Sequence, residues 1–126
     1  MLRAIRFLGL VMLACVLVGC TSTVTNLSAR QQPRTKAGLY TLEASWDCND
    51  RTIRKDTIQA YVLLGNKAYP MQRTPLTPNR WEGGVPLEPG QTTLNYRFKF
   101  EYEYDAIPVA KKGSRLSPPY QVEIIH

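Results

Sequence analysis

The stretch that decides the fold runs from Thr92 to Asp105 and reads TTLNYRFKFEYEYD. Apolar and aromatic side chains occupy the even positions from Leu94 to Tyr104, and polar or charged side chains occupy the odd positions from Asn95 to Asp105. This period of two is typical of a β-strand with one buried and one solvated face, and no helix produces it. Because about fourteen residues exceed the usual strand length, we expect the strand to bend or to pass from one sheet partner to another.

The same alternation recurs elsewhere, in Tyr40 to Trp46, Ile58 to Leu64 and Tyr120 to Ile124. Turn residues lie between these runs. Gly65-Asn66 predicts a two-residue hairpin, and Glu88-Pro89-Gly90-Gln91 predicts a type II turn. Pro70 cannot donate a backbone hydrogen bond, so the run from Lys67 to Arg73 is predicted to be an edge strand or to contain a bulge.

These signals predict the fold class. About seven short strands over residues 39–126, with no helical stripe, indicate an all-β protein built as an antiparallel two-sheet sandwich. An immunoglobulin-like arrangement is the first expectation, and a transthyretin-like sandwich is the second.

The N-terminal segment has the pattern of a secretory signal. Arg3 and Arg6 precede an apolar run from Phe7 to Val18, which is shorter than the roughly 20 residues of a membrane-spanning helix. The sequence Leu17-Val18-Gly19-Cys20 at its end resembles the lipobox of bacterial lipoproteins. The resemblance implies cleavage between Gly19 and Cys20, a diacylglycerol on the Cys20 thiol and a fatty acid such as palmitate on its amine.

The resemblance also implies a location and a domain layout. Thr21, rather than aspartate, follows the lipidated cysteine, which points to the outer membrane, with the protein facing the periplasm or the cell surface. Residues 1–19 are then the signal peptide. Residues 20–38 are mostly polar, contain Pro33 and lack sustained periodicity, so they are predicted to be a lipidated N-terminus and flexible tether, with Val24 and Leu27 available for part of it to pack on the domain. The sandwich domain occupies residues 39–126.

Charge and cysteines restrict the partners. The chain has 16 basic and 10 acidic side chains, and without Arg3 and Arg6 the excess is +4 and spread along the sequence. A nucleic-acid partner needs a basic stripe and is therefore not expected. If Cys15 leaves with the signal peptide and Cys20 carries lipid, Cys48 is the remaining thiol. It is predicted to be a small buried hydrophobe, with a free thiol or an intermolecular disulfide as alternatives.

No residue pattern predicts catalysis or a metal. Glu101, Glu103 and Asp105 share one strand face with Arg97 and Lys99, which favours a solvated surface with ion pairs. The aspartates at 47, 50 and 56 lack the spacing of a calcium loop, and Asp50-Arg51 fits a turn held by its own side chain. The sequence contains one histidine, His126, so no nucleophile–base pair is evident. We therefore predict a non-catalytic protein without a cofactor other than the covalent lipid.

Exposed aromatics would be the candidates for ligand binding. Trp81, Tyr69 and Arg80 are the candidate residues, whereas Trp46 is assigned to the core because it alternates with Leu42 and Ala44. The stretch from Trp81 to Gly90, followed by Tyr96-Arg97-Phe98-Lys99-Phe100, is loosely similar to starch- and glycogen-binding modules. The matching residues are largely core and turn residues in that fold, so the resemblance implies a sandwich more than a stacking site for sugars.

The function predicted from these features is a lipid-anchored accessory of an envelope protein assembly. It would dock through the proline-marked edge at residues 67–73 or through another free sheet edge. The alternative is a module that binds glycan or peptidoglycan through exposed aromatics.

Overall fold

The computed structural model describes residues 22–126, and these form ten β-strands without a helix. The strands are β1 (Ser22–Asn26), β2 (Gln31–Pro33), β3 (Leu39–Cys48), β4 (Ile53–Leu64), β5 (Lys67–Pro70), β6 (Gln72–Arg73), β7 (Arg80–Pro86), β8 (Thr93–Tyr104), β9 (Lys111–Leu116) and β10 (Tyr120–Ile125). The predicted signal peptide, the cleavage site after Gly19 and the lipidation of Cys20 lie outside the described residues.

Two sheets form the fold. One has four strands in the order β1-β3-β7-β6, and the other has the order β2-β10-β8-β4-β5, with β9 also paired to β8. The pairings are antiparallel except that of β2 with β10. Aromatic side chains join the two sheets, since the Trp46 ring of β3 stacks on Phe100 of β8 at 5.2 Å between centroids. The predicted all-β, two-sheet sandwich is confirmed at this level.

Strand β8 changes its sheet partner along one edge, as its length predicts. It pairs with β4 on one side, while on the other it pairs with β10 through residues 93–96 and with β9 through residues 99–104. Buried Ser117 lies at the changeover, where its hydroxyl accepts from the Phe98 N–H and its own N–H donates to the Phe98 carbonyl. One long strand therefore organises three neighbours.

The core follows the predicted alternation. The even positions from Tyr40 to Trp46 in β3 and from Leu94 to Phe100 in β8 are buried, as are Ala60 and Val62 of β4 and Val122 and Ile124 of β10. Tyr102 and Tyr104, at the end of the apolar series of β8, are only half-buried. The period-two pattern therefore gives the correct inward face for each of these four strands.

The predicted turns are also confirmed. Gly65 has φ +58° in the two-residue turn between Leu64 and Lys67, which pair across β4 and β5. Gly90 has φ +90°, and the Gln91 N–H donates to the Glu88 carbonyl at 3.1 Å, as a type II turn requires. Pro70 ends β5, which is an edge strand.

The flexible tether predicted over residues 20–38 is wrong for its described part. β1 pairs along its whole length with β3, and β2 pairs with β10. Asn26 Nδ2 also donates to the Tyr96 hydroxyl at 2.8 Å, and Val24 packs against the core. These short strands are held mainly by backbone pairing, and a single core-facing apolar residue in β1 leaves no hydrophobic period for a sequence pattern to reveal.

Candidate functional site

Trp81 is a core residue and not an exposed platform. Its side chain is only 3% exposed, and its ring meets the Phe100 ring edge-on at 5.3 Å. The Arg73 guanidinium covers it, with the central carbon 5.0 Å from the ring centroid. Stacking of a sugar on Trp81 is therefore excluded in this conformation, and the prediction of Trp81 as a ligand-binding residue is wrong.

The other two candidate residues do not gather around Trp81. Tyr69 lies in β5 of the larger sheet and packs partly against the core. Arg80 lies in β7 of the smaller sheet, where its Nη2 contacts the Glu43 carboxylate at 2.6 Å. Because Arg80 is engaged by a neighbour on its own sheet and Tyr69 lies in the opposite sheet, the three residues do not form one site.

The carboxylates of β8 are paired with cations, as the sequence predicts. Lys99 contacts Glu101 at 3.2 Å, and Arg54 contacts Asp105 at 2.8 Å and Glu103 at 4.0 Å. The hydrogen bond from Arg54 to Asp105 raises the pKa of the Arg54 guanidinium. A cavity of about 440 Å³ on this face is lined by groups of both signs, among them Lys99, Glu101 and Lys112. This surface is a solvated network of ion pairs.

The aspartates near β3 serve turns. The Asp50 carboxylate accepts from the Thr52 hydroxyl at 2.6 Å and from the Thr52 N–H at 2.9 Å, and these two hydrogen bonds lower the pKa of Asp50. Asp47 accepts from the Asn79 amide at 3.2 Å. Within residues 22–126, no group of three acidic, histidine or cysteine side chains could hold a metal ion.

Cys48 is half-buried at the end of β3 and packs against the core. It forms no disulfide within the described part of the chain. Its surroundings include Trp46 and Ile53, which line the same small cavity. This placement agrees with the role of a small hydrophobe.

The sequence pattern misses β9 altogether, although this strand has an unpaired edge. Its six residues pair with β8 on one side, and five of the six are exposed. Gly113 lies beneath the Tyr102 ring, where an added Cβ would come within 2.8 Å of a ring carbon. The residues KKGSRL contain no apolar alternation. The only signal for a strand there is the position of the segment between the chain-breaking residues Pro108 and Pro118, with Gly113 inside it.

One end of the sandwich, which we call the loop end, carries the loops at residues 49–52, 74–79 and 105–110. Backbone hydrogen bonds place them together, since Asp105 N–H donates to the Thr52 carbonyl and Trp46 N–H donates to the Asn79 carbonyl. Three apolar side chains project from these loops into solvent, namely Leu76 at 104% exposure, Ile107 at 96% and Val109 at 66%.

The opposite end, which we call the turn end, has polar turns, and Leu39 and Ile125 beside them are 56% and 40% exposed. It carries the turns at residues 65–66 and 88–91 and the segment 34–38, which together contribute Asn66, Glu88, Gln91, Arg34 and Lys36. The Leu87 N–H donates to the Gly38 carbonyl, and Arg34 Nη2 donates to the Gln91 carbonyl at 2.8 Å. This end is therefore closed by hydrogen bonds between its own segments.

Comparisons with known proteins add little. No protein-family model matches the chain, and no curated protein matches it. One solved structure, a DUF4785 family protein from Legionella pneumophila subsp. pneumophila str. Philadelphia 1, is similar with a TM-score of 0.48 and 13% sequence identity. The match covers 82% of this chain and 28% of that structure. None of the described residues forms a helix long and apolar enough to cross a membrane.

Proposed function

We propose that this chain is a lipid-anchored lipoprotein of the cell envelope that holds a protein partner through strand addition at the free edge of β9. The acyl chains on Cys20 fix it to the outer membrane, and the immunoglobulin-like sandwich serves as a non-catalytic accessory of an envelope assembly. The lipobox-like sequence Leu17-Val18-Gly19-Cys20 supports the anchor. Two or more acyl chains make such an anchor stable.

Strand order supports the immunoglobulin-like assignment over the transthyretin-like one. The order β1-β3-β7-β6 corresponds to strands A, B, E and D, and β10-β8-β4 corresponds to G, F and C. β5 then takes the place of the additional strand C′ beside C. The division of the first strand into β1 on one sheet and β2 on the other fits the same scheme.

The observation that carries the docking proposal is the open edge of β9. Among the described strands with a wholly unpaired edge, it is the longest, with six residues. The proline-marked edge favoured by the sequence is weaker, because β5 has four residues ending in Pro70 and β6 has two. A partner strand needs a run of free backbone groups, and β9 supplies the most complete one.

The ladder tells which β9 groups face outward. The Ser117 N–H donates to the Phe98 carbonyl, and the register continues without a bulge to Lys111 opposite Tyr104. Because backbone groups alternate along an antiparallel strand, residues 111, 113 and 115 point toward β8. Lys112, Ser114 and Leu116 therefore direct their N–H and carbonyl groups to the open side, where an added strand would bond.

Ser114→Pro tests this edge. Proline at position 114 removes one outward N–H and leaves the bonds to β8 in place, so we expect the domain to fold and strand addition to be lost. The measurement is in-cell cross-linking of the full chain followed by mass spectrometry. The wild type should yield a stoichiometric protein partner, and Ser114→Pro should reduce its recovery at least about tenfold.

Ser114→Ala is the matched control, because it removes the hydroxyl and keeps the N–H, and its partner recovery should equal that of the wild type. Undiminished recovery with Ser114→Pro would contradict docking at β9. Recovery of polysaccharide without protein would instead support the glycan-binding alternative, at a site other than Trp81. The same spectra report whether the N-terminal peptide begins at an acylated Cys20.

A further inference from the structure

The loop end presents three apolar side chains that lie outside the core and largely in solvent. Leu76 lies between Pro75 and Pro78, and Ile107 and Val109 lie in the uncharged run from Ala106 to Ala110. Five of the six residues from Asp105 to Ala110 are exposed. Exposed apolar loop tips gathered at one end of a domain commonly mark a contact surface. The turns at residues 65–66 and 88–91 carry no large exposed apolar side chain, and the nearest ones at that end, Leu39 and Ile125, are less exposed at 56% and 40%.

The chain enters the sandwich at this same end. Ser22, the first residue of β1, pairs with Cys48, the last residue of β3, directly before the loop at residues 49–52. Arg115 of β9 also reaches the Ser22 carbonyl at 3.5 Å. Two peptide steps separate Ser22 from Cys20, and they span at most about 7 Å. With β1 held in the sheet, an acylated Cys20 keeps the loop end close to the lipid.

Charge around the tips favours neither sign. Four cationic and four acidic side chains lie near this end, namely Arg51, Arg54, Lys55 and Lys111 with Asp47, Asp50, Asp56 and Asp105, and Arg54 is paired with Asp105. Attraction to anionic headgroups would need a surplus of cations. Contact made by the uncharged tips themselves depends instead on removal of apolar surface from water, which salt does not screen.

We propose that the loop end docks on the bilayer surface, with Leu76, Ile107 and Val109 inserted among the lipids that hold the Cys20 acyl chains. This inference rests on the proposed lipid anchor and extends it from a point of attachment to a fixed orientation. The strands then run away from the membrane, the turn end points into the aqueous compartment, and the free edge of β9 stands upright beside the bilayer.

A tryptophan placed at the tip tests the docking. The full-length, acylated protein carrying Ile107→Trp is reconstituted in phosphatidylethanolamine–phosphatidylglycerol vesicles with brominated acyl chains. Trp46 and Trp81 are both 3% exposed inside the sandwich, and the wild-type protein, which carries the same two tryptophans, supplies the background to be subtracted. We expect the fluorescence of the added tryptophan to be quenched by at least about half, and equally so at low and at 1 M salt.

Asn66→Trp, in the exposed hairpin at the turn end, is the matched control and should remain unquenched. Acylated protein that floats with the vesicles but shows no quenching at position 107 would overturn the docking and leave the lipid anchor standing. A blue-shifted but unquenched signal would show that a protein, such as a second copy of this chain, covers the tips, and it would also overturn the docking. Protein that is neither acylated at Cys20 nor floated would refute both proposals.

Discussion

The loop end and the turn end of the sandwich both connect strands of the two sheets, but they do so with different residues. At the turn end, tight turns and cross-segment hydrogen bonds such as Leu87 to Gly38 close the sheets, and the residues of the turns are polar, although Leu39 and Ile125 beside them are 56% and 40% exposed. At the loop end, longer loops carry apolar tips that are largely exposed, while an aromatic cluster lies beneath them. Structural and exposed apolar residues thus lie within one end, a few residues apart.

The loop end contains both apolar residues that stabilise the fold and apolar residues that do not, and their burial distinguishes them. Trp46 stacks on Phe100 at 5.2 Å and contacts Tyr102 at 5.3 Å, so it ties the two sheets together below the loops. Ile107, three residues beyond the end of β8, is almost fully exposed. Burial, and not hydrophobicity alone, separates a residue that stabilises the fold from one that is free to bind.

Trp46→Ala should have the largest effect on stability. Removing a buried indole that contacts two aromatic rings leaves a cavity, which we expect to lower the free energy of unfolding by about 3–5 kcal/mol. Urea denaturation followed by circular dichroism measures the loss. Ile107→Ala, at the same end but exposed, should stay within about 0.5 kcal/mol of the wild type. Comparable losses for the two variants would contradict the distinction between core and tip.

The sequence reveals the strands that bury side chains and misses those that pair only through backbone. In the runs from Leu94 to Phe100 and from Tyr40 to Trp46, the period of two predicts which side chains face inward. The structure buries those side chains as predicted. β1, β2 and β9 contribute few or no core side chains, so their pairing leaves no such mark. Almost any sequence can pair through backbone hydrogen bonds, so such pairing leaves no pattern of side chains. For this reason the sequence of residues 22–38 predicts a tether.

The candidate site shows a second limit. Trp81 follows polar Asn79 and Arg80, and Gly83-Gly84 interrupts the alternation after it, so the sequence does not assign its face. The register of β7 against β3 decides which face carries Trp81, because it sets Trp81 opposite buried Ala44. Likewise, the sequence shows that loop 105–110 is mostly apolar, but only the pairing of Ser22 with Cys48 shows that this loop lies near the start of β1.

Gly90→Ala should produce the next largest loss, this time at the turn end. Gly90 has φ +90°, which an L-residue adopts only with strain, so we expect a cost of about 1–2 kcal/mol in urea denaturation. Gly84→Ala is the matched control, because its added Cβ meets nothing within 4 Å and its φ lies outside the left-handed region. That variant should equal or exceed the wild type by up to about 1 kcal/mol. Equal losses would mean that the turn is not held by its glycine.

Asp50→Asn should have the smallest effect on stability, and the dependence of that effect on pH identifies its cause. At the loop end a side chain holds the turn, since hydrogen bonds from the Thr52 hydroxyl and backbone N–H lower the pKa of Asp50 below its usual 3.8. A lowered pKa in the fold means that the charged carboxylate contributes stability above the usual value, and that this contribution is lost as pH falls through the lower folded value. The stability difference between wild type and Asp50→Asn should therefore be constant above about pH 5 and shrink toward pH 2. Gly90→Ala, whose cost is conformational, should instead lower the whole profile in parallel. If the Asp50→Asn difference does not change with pH, the turn at the loop end is held by backbone geometry, just as the turn end is.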